Sequence, residues 1–229
     1  MKTVDICIPT FPAHIGRVEC FLTTTRLLRE KMSASRHNLR FYVSCEPVNL
    51  TPRKVLRSML VSACDYLQIQ FQDRQAAYCD LGANMNYAMQ MGEGDYVLMC
   101  QDDMALQSKF DVSDYCDFLD SNPHALVRFG YAQTQFLPCD DPLVNEVDMA
   151  GPWPFADEPW LQRRSQLLLY AEGFHHGGQE GEMSSRLVQA RARIAASKNP
   201  LFSHGWMLST IESRMREEMM HLGIKGFVV

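Results

Sequence analysis

At 229 residues the chain is long enough to bury a substantial core, in one large domain or two small ones. Its 46% hydrophobic and 21% charged residues are ordinary for a globular fold, and the formal charge of −5 argues against a general nucleic-acid binder. No apolar run approaches the length of a membrane span, and the N-terminus lacks a signal-peptide pattern. The 8 cysteines are scattered, none in a CxxC pair, which points to reduced thiols in a cytoplasmic protein rather than to a disulfide framework or a zinc site.

Val4 to Ile8 reads as a first strand, stopped by the rigid loop Pro9-Thr10-Phe11-Pro12. Between Ile15 and Lys31 the apolar residues Val18, Phe21, Leu22, Leu27 and Leu28 recur at helical spacing. Leu39 to Cys45 is a second strand, followed by Glu46-Pro47. Thr51-Pro52 offers a hydroxyl cap and a first-turn proline, with Val55, Leu56, Met59 and Leu60 as the expected inner stripe. Leu67 to Phe71 alternates as a third strand, and Leu81 to Met91 reads as a helix ended by Gly92 and Gly94. The stretch from Asp95 through Cys100 is continuously apolar after its first residue and ends in Gln101-Asp102-Asp103, as a buried parallel strand would.

Beyond Asp103 a helix is expected over Asp111 to Asp120, capped by Asp111 or Ser113, and a strand over Ala125 to Tyr131. Pro138 to Trp160 reads as a long loop whose Trp153, Phe155 and Trp160 either stack on a sugar or base or pack onto the sheet. A glycine-rich segment from Gly173 to Gly178 leads through Gln179-Glu180-Gly181-Glu182 into a helix ending near Leu187. Arg193 to Ala196 suggests a short strand, and Trp206 to Leu222 a last amphipathic helix. Strands alternating with helices at this spacing predict a single α/β domain with a largely parallel sheet.

Three groups stand out. Asp102 and Asp103 at the carboxyl end of a buried strand are costly unless a cation meets them, and that end of an open α/β sheet is where ligands sit. Hard divalent ions take such oxygens and bridge them to phosphates, whereas the bland alternative is a solvated acidic turn. Glu180 or Glu182 at a helix start suits a general base, against the commoner role of first-turn capping. His204 could complete a metal shell or be a hydrogen-bonded core residue.

Taken in order, the Ile-Pro-Thr loop, Glu46, Leu81-Gly82-Ala83-Asn84-Met85-Asn86, the Gly-Asp-Tyr strand ending in Asp-Asp, the late acidic pair and the final His resemble the GT-A fold glycosyltransferases, particularly family 2 and its relatives. The resemblance is densest over residues 78 to 106. It implies a Rossmann-like single domain over residues 1–229, with 1–106 binding a nucleotide-sugar and 107–229 carrying the acceptor site and base. It implies Asp103 as ligand of Mn²⁺ or Mg²⁺, with His204 as a second ligand and Asp102 at the middle of a DXD-like motif whose first place is held by Gln101. Pro9, Thr10 and Phe11 would face the nucleotide, Glu46 the base or ribose, and Gly82 and Asn86 the sugar diphosphate. Glu180 would be the base and Glu182 its reserve; Trp153 and Trp160, on the stacking reading of their loop, could cover the acceptor.

The implied activity is metal-dependent transfer from a nucleoside-diphosphate sugar, UDP-sugar favoured, to an acceptor hydroxyl with inversion. The acceptor classes left open are a saccharide, a small molecule, a protein side chain and, as for some phage enzymes, a hydroxymethylated DNA base. Two other readings remain: a nucleotidyltransferase of similar fold, and a catalytically silent nucleotide- or carbohydrate-binding domain.

Overall fold

The computed structural model describes residues 1–12, 15–47, 51–76, 79–130, 135–151, 154–155, 158–170, 178–199 and 201–204, with backbone alone at 51–53, 178–180 and 204. Four parallel strands open the chain: β1 (Thr3–Thr10), β2 (Asn38–Cys45), β3 (Gln70–Asp73) and β4 (Tyr96–Met99), in the order β3-β2-β1-β4. They are joined by α1 (Ile15–Lys31), α2 (Thr51–Tyr66) and α3 (Leu81–Gln90). After β4 come β5 (Met104–Leu106), α4 (Val112–Ser121), β6 (Leu126–Arg128), β7 (Phe136–Leu137), β8 (Val144–Val147), β9 (Trp160–Arg163), α5 (Gly178–Gln189), β10 (Ile194–Ser197) and β11 (Phe202–His204). The sheet continues from β4 as β9-β6-β10-β8-β7, and among its described strands β8 and β9 run against the others. A separate antiparallel pair, β5 with β11, lies beside α1.

The two-residue period of the strands divides the interior into two layers. Val4, Ile6 and Ile8 of β1, with Tyr96 and Leu98 of β4, pack with Val18, Phe21 and Leu28 of α1, Leu60 of α2 and Leu119 of α4. Cys7, Val97 and Met99 face the other way, onto Met85 and Met89 of α3 and Met183 and Leu187 of α5. Because both faces of β1 and β4 are covered, these strands are apolar throughout except at their ends, which is where the chemistry collects.

Several expectations are corrected. The third strand starts at Gln70 rather than Leu67, because Gln68 takes φ 52° to close α2, with Ile69 N–H on the Cys64 carbonyl. On α2, Leu60 is buried but Val55 and Met59 are exposed, so the inner stripe is narrower than its apolar residues suggest. The loop expected to end at Trp160 instead contains β8 and runs into β9, which inserts antiparallel between β4 and β6. Trp160 is therefore core: fully buried, it donates its indole N–H to the Tyr170 hydroxyl at 2.8 Å. The cap of α4 is Asp111, whose carboxylate accepts the Ser113 N–H. The helix expected over Trp206 to Leu222 lies outside the described residues.

Candidate active site at the carboxyl ends of β1 and β4

β4 ends at Met99, and Cys100 N–H adds one more bond to the Cys7 carbonyl before the chain turns. The turn carries Gln101, Asp102 and Asp103, and Met104 N–H closes it on the Gln101 carbonyl. Asp102 is fully buried and Asp103 nearly so. The Thr10 hydroxyl, at the end of β1, donates to Asp102 Oδ2 at 2.5 Å, and the Phe11 N–H donates to the same carboxylate. From α1, Thr24 Oγ1 reaches the Asp102 and Met104 carbonyls at 3.0 and 3.1 Å and so fixes the turn's backbone.

The cation that the sequence left unnamed is Arg17, in the first turn of α1. Its Nη1 donates to Asp103 Oδ2 at 2.7 Å, while its Nη2 stands 2.8 Å from Asp102 Oδ1 without the alignment of a hydrogen bond. The pair is therefore neither a solvated turn nor a naked anionic site. Burial pushes the Asp102 carboxyl up, to about 6; Arg17 opposes this, Asp103 adds to it, and the Thr10 and Phe11 donors oppose it again. A sequence signal for Arg17 did exist. A cation in a helix's first turn opposes the macrodipole and asks for a carboxylate elsewhere to hold it there.

No protein-family model matches the chain, and no curated protein matches it in sequence. Solved structures do match in fold. TarS 1–349 of S. aureus, in complex with UDP-GlcNAc, superposes with a TM-score of 0.56 at 14% identity, over 92% of this chain and 61% of that one. The mannosyltransferase PcManGT from Pyrobaculum calidifontis, in complex with GDP-Man and Mn²⁺, gives 0.51 at 8% identity, over 100% of this chain and 65% of that one. The fold is GT-A. The chain spans less than two-thirds of either of these two chains. A CMP:2-keto-3-deoxy-manno-octonic acid synthetase complexed with CTP also matches, at 0.54 and 13% identity, over 95% of this chain and 100% of that one.

On this GT-A scaffold the remaining expected residues separate into groups. Pro9, Thr10, Phe11, Glu46 and Gln101 share the carboxyl-end rim of β1, β2 and β4 with Asp102 and Asp103. Glu46 is buried, accepting from Arg74 Nη2 at 2.7 Å and from the Asp80 N–H at 3.1 Å; burial raises its carboxyl and these donors hold it back. Gly82 is buried in the first turn of α3, behind the Asp80 cap. Asn86 is engaged elsewhere. Its amide both donates to the Tyr170 carbonyl at 3.0 Å and accepts the Tyr170 N–H at 2.7 Å. It clips the segment after β9 to α3.

Asn84, buried on the same helix, sends its Nδ2 to the Thr10 carbonyl at 3.2 Å. Trp160, in the core, is removed from any stacking surface, and Trp153 lies outside the described residues. Glu180 falls in α5 and His204 in β11, described there by backbone alone. The backbone of His204 pairs with Met104, next to Asp103. Glu182 is part-exposed and ion-paired to Arg186 at 3.0 Å along the helix.

The donor set fits a divalent ion in one respect and not in another. Two carboxylates converge on a single positive group, which is the requirement such an ion would have, and Arg17 stands in for it. Among the described residues no cluster of three His, Cys, Asp or Glu forms, so a closed all-protein cage is not what these side chains build. One or two carboxylates completed by substrate phosphates is the common way to hold Mg²⁺, and Asp102 with Asp103 fit it.

Proposed function

We propose that the protein transfers a glycosyl group from a nucleoside-diphosphate sugar to an acceptor hydroxyl. The observation that carries this reading is the convergence of Asp102 and Asp103, both buried and Asp102 pre-positioned by Thr10 and Phe11, at the carboxyl end of β4 beside that of β1 in a GT-A sheet. A uridine donor is supported by the TarS complex with UDP-GlcNAc and a divalent ion by the Mn²⁺ of the mannosyltransferase, both facts about those proteins. Residues 1–106 hold the donor in this reading, and 107–229 the acceptor and base.

The chemistry demands two things at once. As the bond from the anomeric carbon to the diphosphate oxygen breaks, its electron pair leaves with the diphosphate and needs positive charge nearby. When bound, a divalent ion supplies that charge as a Lewis acid, with Asp103 and Asp102 as its holders and His204 as a further ligand. As the acceptor oxygen bonds to the anomeric carbon, its proton passes to a carboxylate, for which Glu180 is the choice and Glu182, engaged with Arg186, the reserve. Attack from the face opposite the leaving group inverts the centre. Thr10 and the Phe11 N–H keep Asp102 oriented throughout.

Thermal melts with UDP, GDP and their sugars, each with Mn²⁺, test the proposal. Stabilisation by a diphosphate-sugar followed by slow release of nucleoside diphosphate is expected; no stabilisation by any of them overturns it. A second reading, nucleotidyl transfer, is favoured by one observation: the full-length match to the CTP-complexed synthetase. Release of pyrophosphate from CTP in the presence of a sugar acid would decide for it.

A further inference from the structure

Arg17 occupies the place where an incoming cation belongs. Its guanidinium spans two carboxylates whose side chains are 1% and 7% exposed, yet is itself 20% exposed, so it covers them from the solvent side. One of its two contacts is a well-formed hydrogen bond and the other is not aligned as one. Asp102 does not depend on Arg17 for its orientation, because the Thr10 hydroxyl and the Phe11 N–H grip it independently. Asp102 and Asp103 each turn an oxygen toward this one guanidinium, at 2.8 and 2.7 Å, and two carboxylates facing a single point are also the arrangement that attracts a divalent cation.

We propose that Arg17 is a displaceable internal counter-ion: it occupies the aspartate pair while the site is empty, and a divalent cation takes its place and frees it to meet the donor's diphosphate. The exchange needs no rearrangement of the strands. The side chain has a long flexible stem on the first turn of a surface helix, and Asp102 remains held from behind by Thr10 and Phe11. A divalent ion brings twice the charge to the same two oxygens. The released guanidinium then offers a planar pair of donors to phosphate oxygens, a geometry for which it is well suited. Nucleotide binding therefore depends on metal twice, through the ion and through the arginine it releases. The inference rests on the donor-site reading for the identity of the phosphate ligand.

Titration of metal-free protein with Mn²⁺, and of UDP with and without Mn²⁺, tests it by calorimetry alongside thermal melts in EDTA. Arg17→Gln should melt lower than wild type in EDTA and recover on adding Mn²⁺. It should bind Mn²⁺ at least about tenfold tighter, because the competitor is gone, while UDP in the presence of Mn²⁺ binds it more weakly than wild type. Should that variant fail to fold, Arg17→Lys keeps a charge that cannot span both carboxylates and should show the same changes in smaller measure. Equal or weaker Mn²⁺ binding by the variants, or UDP binding to wild type that is as tight in EDTA as in Mn²⁺, overturns the proposal. If Mn²⁺ competes with Arg17 as expected but no nucleoside diphosphate binds, the counter-ion role stands and the donor reading falls. If donors bind and turn over regardless of metal, the reverse holds.

Discussion

The two ends of β1 and β4 each carry a buried acid met by an arginine, and they are built to opposite specifications. At the amino end, Asp5 is fully buried and accepts from Arg164 Nη2 at 2.8 Å and from the Gly94 N–H at 2.6 Å. Arg164 spends its other donors on the Gly94 and Met89 carbonyls, both at 2.7 Å. One charge meets one charge, and the remaining donors go to backbone, so the turn between α3 and β4 is locked. At the carboxyl end, one guanidinium serves two carboxylates, and no bond from it to a backbone carbonyl forms among the described residues.

Burial acts on acids at both ends, with different outcomes. Glu146, beside the starts of β6 and β10, would be raised by burial, but hydrogen bonds from Arg193 and His124 outweigh this and hold it low. Asp102 and Glu46, at the carboxyl end, are both raised.

Breaking the joint at Asp5 should have the largest effect. Asp5→Ala strands a partly buried guanidinium and the Gly94 N–H, and a loss on the order of 3–5 kcal/mol is expected in urea denaturation. Asp103→Asn should cost less: the metal-free melting temperature should fall by less than for Asp5→Ala, because Arg17 keeps Asp102 beside it, while Mn²⁺-dependent turnover drops by about a hundredfold or more. A stability loss like that of Asp5→Ala would erase the distinction between the two ends. Gly92→Ala probes the joint more gently. A Cβ there collides with Asp5 Oδ2 and comes within 2.8 Å of Tyr42 Cε2, so a cost of about 1–3 kcal/mol is expected from the same denaturation curves.

The pH dependence sharpens the comparison with the smallest effects. The carboxyl of Asp102 is raised from 3.8 to about 6, so the stability it contributes is present below pH 3.8 and is lost as pH rises through about 6. Glu146 is lowered from 4.5, so its contribution is present above that pH and is lost as pH falls through the folded value. In metal-free protein, Asp102→Asn should flatten the decline in stability between about pH 4 and 6, and Glu146→Gln should flatten the loss in acid. Unfolding free energies measured across that range, with identical slopes for both variants, would contradict the assignment.

Much of the first half was readable in the residues because its signals are local. The helix over Ile15–Lys31 is found at its expected ends, and the strands at Thr3–Thr10, Asn38–Cys45 and Tyr96–Met99 follow β-rich runs between turn residues, the last of them continuously apolar. β9 was hidden because four residues of mixed character, Trp-Leu-Gln-Arg, become a central strand when neighbours on both sides supply ladder partners. The same insertion moved Trp160 from a supposed binding loop into the core. The bond between Asn86 and Tyr170 was hidden for a related reason, since the two are 84 positions apart.

Sequence alone therefore determined the α/β class, the alternation that places strand ends together, and the acidic pair at the tip of β4, all through periodicity and turn chemistry acting over a few residues. Tertiary structure decided what those acids meet. Arg17 and Asp103 are 86 positions apart, and a charge on a helix's first turn reveals its partner once β1 and β4 lie side by side and bring the loop after one strand against the turn after the other. Charge pairing depends on distance in space, which the order of residues encodes only through the fold.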